Sequence, residues 1–189
     1  TFVEAMVLVF FVMLLFLHSF RNSVIVLIAI PSSLISTFIA IYAFGFTLNL
    51  MTLLALSLVV GILVDDSIVV LENIYHHLEK GEDRRVAALK GRNEIGFAAL
   101  SITLVDVAVF LPLALVTGIV GNMLRQFSLV VVVSTLMSLI VSFTITPMLA
   151  SRFSNITKFS DSTLFGRFVN GFERGFKKVT GDYLVLLQW

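Results

Sequence analysis

Long apolar runs separated by brief polar interruptions set the pattern of this chain. The first run, Phe2 to Phe20, is broken only by Glu4 and His18 near its ends, which suits a spanning helix whose polar residues reach the interface. Arg21-Asn22 then makes a short turn. The next 43 residues, Asn22 to Val64, carry no charge and are too long for one span. Gly45-Phe46-Thr47-Leu48-Asn49 supplies the break, because Gly and Asn tolerate turn geometry. Helices are therefore predicted over roughly 24–44 and 50–75, with Pro31 near the start of the first, where a missing N–H matters little. From His76 to Glu94 charged residues crowd together and predict a solvated segment with a short helix after Gly81. Two more spans follow, over roughly 95–117 and 124–150, on either side of Thr117-Gly118-Ile119-Val120-Gly121-Asn122. Pro112 predicts a kink in the former. Ser128, Ser134, Ser138 and Ser142 recur at near-fourfold steps in the latter and suggest a helix–helix seam.

Phe165, Phe168, Phe172 and Phe176 return at three- and four-residue steps, with Arg167, Glu173, Arg174, Lys177 and Lys178 mostly elsewhere and Asp161 as an N-cap. This predicts an amphipathic helix lying in the interface. The last residues, to Trp189, read as the start of a further span, so the chain is expected to continue.

Composition makes the membrane reading firm. The chain of 189 residues is 58% hydrophobic but only 13% charged, with mean hydropathy +1.04. A soluble domain carries about a quarter charged residues to wet its surface. A net charge of +1, without a basic stripe, argues against nucleic acid. With no cysteine there is neither disulfide nor thiolate chemistry, and no basic leader marks a signal peptide. If spans alternate, twelve of the thirteen Lys and Arg fall on one side and only Arg125 on the other. The excess assigns the first side to the cytoplasm, with the chain entering from outside, where a large domain could precede residue 1.

The chemistry concentrates in Gly61-Ile62-Leu63-Val64-Asp65-Asp66-Ser67-Ile68-Val69-Val70-Leu71-Glu72-Asn73. Two adjacent carboxylates stand deep in a spanning helix, where a charge persists only if it faces the bundle interior and does something. They repel each other, and low dielectric disfavours ionisation, so the pair is suited to gain and lose a proton as a coupled unit. The bland alternative is permanent neutralisation by a buried Lys or Arg, and no span here contains one. Glu72 and Asn73, two turns on, extend the polar face or cap the helix end. Asp106 stands alone in the next span, before Pro112, and is a candidate relay facing the pair; the alternative is a neutral Asp bonded to a Ser or Thr. His18, His76 and His77 lie at span ends, where solvation is the usual state, and Met6 and Met13 fit plain packing better than a metal path. No phosphate loop, catalytic triad or nucleophile elbow appears, so an enzyme finds no support and no metal site is expected.

These residues resemble the resistance-nodulation-division (RND) superfamily of proton-coupled exporters. The match also rests on Leu17-His18-Ser19-Phe20-Arg21, Phe44 to Asn49, Phe110-Leu111-Pro112, Arg125-Gln126-Phe127 and Thr146-Pro147-Met148-Leu149-Ala150, in the family's order and over nearly the whole chain. The resemblance implies an all-α membrane protein, a bundle of five spans corresponding to helices two to six over residues 1–150. It further implies a cytoplasmic-side interfacial segment over 151–180 and the start of the next span over 181–189. The Asp-Asp pair resembles the multidrug (hydrophobe and amphiphile) branch, making Asp65 and Asp66 the proton-translocating residues; at Asp106 that family usually has an uncharged residue. Implied with it are proton/drug antiport, protons as coupling ion and no other cofactor, and a homotrimer in the inner membrane with a periplasmic adaptor and an outer-membrane channel. The alternatives are heavy-metal cation export, in which a small residue typically follows a single Asp, or a sensor bundle that moves no net protons.

Overall fold

The computed structural model describes residues 2–17 and 19–154, and every regular element among them is an α-helix. These are α1 (Phe2–Leu17), α2 (Phe20–Ala43), α3 (Leu50–Glu79), α4 (Arg84–Leu113) and α5 (Ile119–Phe153). The amphipathic segment expected over 161–178 and the span expected from 181 lie outside the described residues. Helices α2 to α5 are each long and apolar enough to cross a bilayer, making this a multi-pass membrane chain. The 16 described residues of α1 rise about 24 Å.

Local chemistry starts these helices where the polar breaks fall. The Asn49 side chain accepts from the N–H groups of Met51 (2.9 Å) and Thr52 (3.1 Å), while the Thr52 hydroxyl accepts from Asn49 N–H at 2.8 Å. This capping box satisfies otherwise orphaned donors at the head of α3. Asp83 caps α4 by accepting from Arg85 N–H at 3.1 Å.

Three expectations are corrected. The short helix after Gly81 and the span after Glu94 are one continuous helix, α4. Its charged first turns contain Ala, Leu, Lys and Arg, good helix formers, so composition changes there while conformation does not. The span expected to run to 117 ends at Leu113, which leaves Pro112 inside the last turn of α4. Pro31 lies in the middle of α2, which begins at Phe20. Beside that proline, the Ser32 and Ser33 hydroxyls donate to the carbonyls of Ile28 and Ala29.

Helix α5 is the hub, packing against α2, α3 and α4, while α1 packs chiefly on α2. Asn49 at the head of α3 donates to Gln126 near the head of α5 (2.6 Å), so these two helices run parallel. Ser154, just past the end of α5, donates to Asn22 at the beginning of α2 (2.6 Å), so α2 runs the other way. One end of the bundle therefore gathers Arg21, Arg152 and the 80–83 turn, the cation-rich side of the sequence count. Val59, Leu63, Val70, Leu71 and Ile74 of α3 pack with Val130 and Val131 of α5 in the core. The opposite stripe of α3, comprising Gly61, Asp65, Val69 and Glu72, faces out of the described bundle.

Candidate functional site

Asp65 and Asp66 occupy the middle of α3, and neighbouring positions on a helix point about 100° apart. That single step separates their environments. Asp65 is exposed on the outer stripe, whereas Asp66 turns toward α5 and is half-buried. Its Oδ2 is inaccessible and has no hydrogen-bond partner. The Ser138 hydroxyl of α5 faces the Asp66 carboxyl, and the other charges acting on it among the described residues are Asp106 and Asp65. Asp106 is half-buried on α4. Asp106 therefore acts on Asp66 through space from a second helix. Arg92, the deepest cation on α4, lies 14 residues from Asp106, about 21 Å along the helix.

The hydroxyls around this cluster divide into two kinds. Ser134 donates to Val130 carbonyl (2.6 Å) and Ser142 to Leu139 carbonyl (2.9 Å), each within α5. Ser138 instead reaches across to the Leu63 carbonyl of α3, at 3.4 Å. The Ser67 hydroxyl, one residue from Asp66, is buried without a partner. Ser128, Ser134, Ser138 and Ser142 are all buried, so the predicted seam exists, facing α3 at Ser138.

Across its whole length, residues 1–189, the chain matches the model of the AcrB/AcrD/AcrF family. The chain belongs to the AcrB/AcrD/AcrF family. It is 45% identical over 179 residues to multidrug resistance protein MdtC of Citrobacter koseri, covering 93% of this chain and 17% of that protein. The MdtC proteins of Escherichia coli O139:H28 and Shigella flexneri are each 44% identical over 181 residues, covering 94% of this chain and 18% of theirs. The chain therefore spans under a fifth of the length of these relatives. Membership in this RND efflux family agrees with the resemblance carried by the Asp-Asp stretch and its flanking motifs.

Within this family member, sequence reasoning missed a second polar cluster at the cation-rich end. His76 is exposed, but His77, expected to be solvated, is 4% exposed. Its Nε2 lies 3.0 Å from Glu94 Oε2 and its Nδ1 3.3 Å from Glu82 Oε2. Glu82 also accepts from Lys90 Nζ at 2.8 Å, and that ammonium, with His77 adding to it, holds the Glu82 carboxyl below the usual glutamate range against an opposing effect of burial. Asn73, expected to extend the polar face of α3 or cap its end, donates to Gly91 carbonyl (2.8 Å) and Glu94 (3.2 Å), joining α3 to α4. Glu72 is exposed. The one hint in sequence was the five-residue step from His77 to Glu82 across the Gly81 turn.

Proposed function

We propose that this chain is the proton-translocating part of an inner-membrane proton/drug antiporter that exports hydrophobic or amphiphilic compounds. The observation that carries this reading is the half-buried Asp66, with one carboxylate oxygen unpartnered and, among the described residues, no charge acting on it except the carboxylates of Asp65 and Asp106. An arrangement of three acids without a neighbouring cation is stable in a membrane when protons occupy part of it, or when a cation approaches from elsewhere. The exposed stripe of α3 leaves Asp65 open to such an approach. Exchange between those two states supplies a mechanical step: protonation releases an ionic contact, the helices shift, and a remote substrate domain changes state. The name of these relatives, multidrug resistance protein, supports drugs over metal cations as cargo. The same family membership supports a homotrimer with a periplasmic adaptor and an outer-membrane channel as partners.

The test is made in the complete transporter. Asp65→Asn and Asp66→Asn each keep side-chain volume but cannot ionise, so each is expected to abolish proton-coupled efflux of ethidium while membrane insertion stays normal. Normal efflux by both variants would sink the reading.

A further inference from the structure

We propose that Ser138 is the positioning residue for Asp66, its hydroxyl turning between the Asp66 carboxylate and the Leu63 carbonyl as the acid loses and gains its proton. The inference rests on the reading above, in which Asp66 carries the coupling proton.

Its basis is an imbalance of donors and acceptors. A serine hydroxyl has one proton to give and two lone pairs to receive. Ser138 is fully buried and spends its proton on no carbonyl of its own helix, unlike Ser134 and Ser142 in the same seam. It faces two acceptors on α3 instead. One is the Leu63 carbonyl, at a long 3.4 Å, which lies one turn before Ser67 and is already the helical acceptor for that residue's N–H. The other is the Asp66 carboxyl, whose buried Oδ2 lacks a partner. One proton cannot serve both.

The charge on Asp66 decides which acceptor wins. An ionised carboxylate takes the hydroxyl proton in a charge-assisted bond, the stronger of the two. Once Asp66 is protonated, its own O–H donates to the Ser138 oxygen, and the hydroxyl proton turns to Leu63. No proton leaves Ser138 in either state. The contact between α3 and the hub helix α5 is thereby rewritten by the proton that Asp66 binds. The other ionisable groups that face Asp66 from the described residues are Asp65 on its own helix and Asp106 from α4. The cations Arg125 and Arg152 of α5 and Arg21 of α2 stand near helix ends, those of α5 about 20 Å along the axis from Ser138.

The experiment uses the complete transporter in proteoliposomes and reads two titrations: the pH profile of proton-driven ethidium efflux, and the infrared band of the protonated Asp66 carboxyl, assigned by its loss in Asp66→Asn. Removing a donor from the ionised form makes the acid hold its proton to higher pH. Ser138→Ala is expected to move both midpoints upward by about one pH unit, a tenfold change in proton affinity. Ser138→Thr, which keeps the hydroxyl, is expected to restore the wild-type midpoints. Should Ser138→Ala fail to reach the membrane, Ser138→Cys, similar in size and a weak donor, carries the same expectation. Unmoved midpoints, or a Thr variant displaced as far as Ala, would overturn the proposal. Should Asp65→Asn and Asp66→Asn both transport normally, the antiport reading falls, and the infrared titration still decides whether Ser138 positions Asp66.

Discussion

At the scale of single residues, Asp65 and Asp66 are neighbours in sequence with different surroundings, and Asp106 adds a third charge from another helix. Because Asp106 acts on Asp66 through space, replacing it with Asn removes a repulsion and lets Asp66 give up its proton more readily. Asp106→Asn is therefore expected to move the efflux profile toward lower pH by about half a unit, opposite in sign to Ser138→Ala. A profile measured over roughly pH 6 to 8 checks this, the range into which burial lifts carboxyls. An unchanged profile with normal rate would confine the proton site to Asp65 and Asp66. At the other end of α3, the Glu82 carboxyl is depressed first by Lys90 and then by His77. A depressed acid lends stability above its unfolded titration range, and that stability is lost as pH falls through the lower, folded one. Protection of the amides across the 80–83 turn, measured against the slower intrinsic exchange at lower pH, is expected to fall on acidification in the wild type and to lose that dependence in Glu82→Gln. The three aspartates were legible because charges in an apolar run announce themselves. Ser138 was legible only as a small residue in a seam, since its meeting with Leu63 spans 75 positions of sequence. His77 was hidden for the same reason: Glu94, the nearer of its two carboxylates, arrives from α4.

At the scale of elements, the apolar runs located every described helix, while their ends followed rules that hydropathy does not contain. Charge density marks where a helix leaves the hydrocarbon, and α4 continues through that boundary because nothing in residues 84–94 breaks it. Pro31 was misplaced, since a proline's effect depends on its distance from the helix ends, which the pattern blurs. Helices α3 and α4 approach tightly at Gly91, where an added Cβ would meet the backbone nitrogen and Cα of Ile74 at 2.8 Å. Both are backbone atoms, which cannot swing aside as a side chain would. Gly91→Ala is expected to push the helices apart and cost about 1–3 kcal/mol, the usual cost of overpacking. Thermal unfolding of the purified transporter measures this, and an unchanged midpoint would show that the helices separate freely.

At the scale of the whole molecule, the contacts of Asn22 with Ser154 and of Asn49 with Gln126 fix which helix ends lie together, and the cation count gives that arrangement a direction. A cysteine substituted at Gly81, in the turn between α3 and α4, is expected to resist membrane-impermeant thiol reagents in intact cells and to react once the membrane is opened. Ready labelling in intact cells would reverse the orientation. The left-handed backbone of Gly81 (φ 87°) disfavours a side chain, so a parallel cysteine at Glu79 guards the result.

That α5 is the hub bears on how such a bundle is made. A ribosome delivers helices in chain order, and the one that contacts α2, α3 and α4 is the last of the five to emerge. Until it arrives, α3 must wait in the bilayer with Asp66 and Ser67 facing lipid or stray water in place of the seam that covers them, and α2 has little to hold it against α3. Chains halted before residue 119, which lack α5, are therefore expected to be degraded faster than chains halted after residue 154, and pulse-chase of the two truncations measures this.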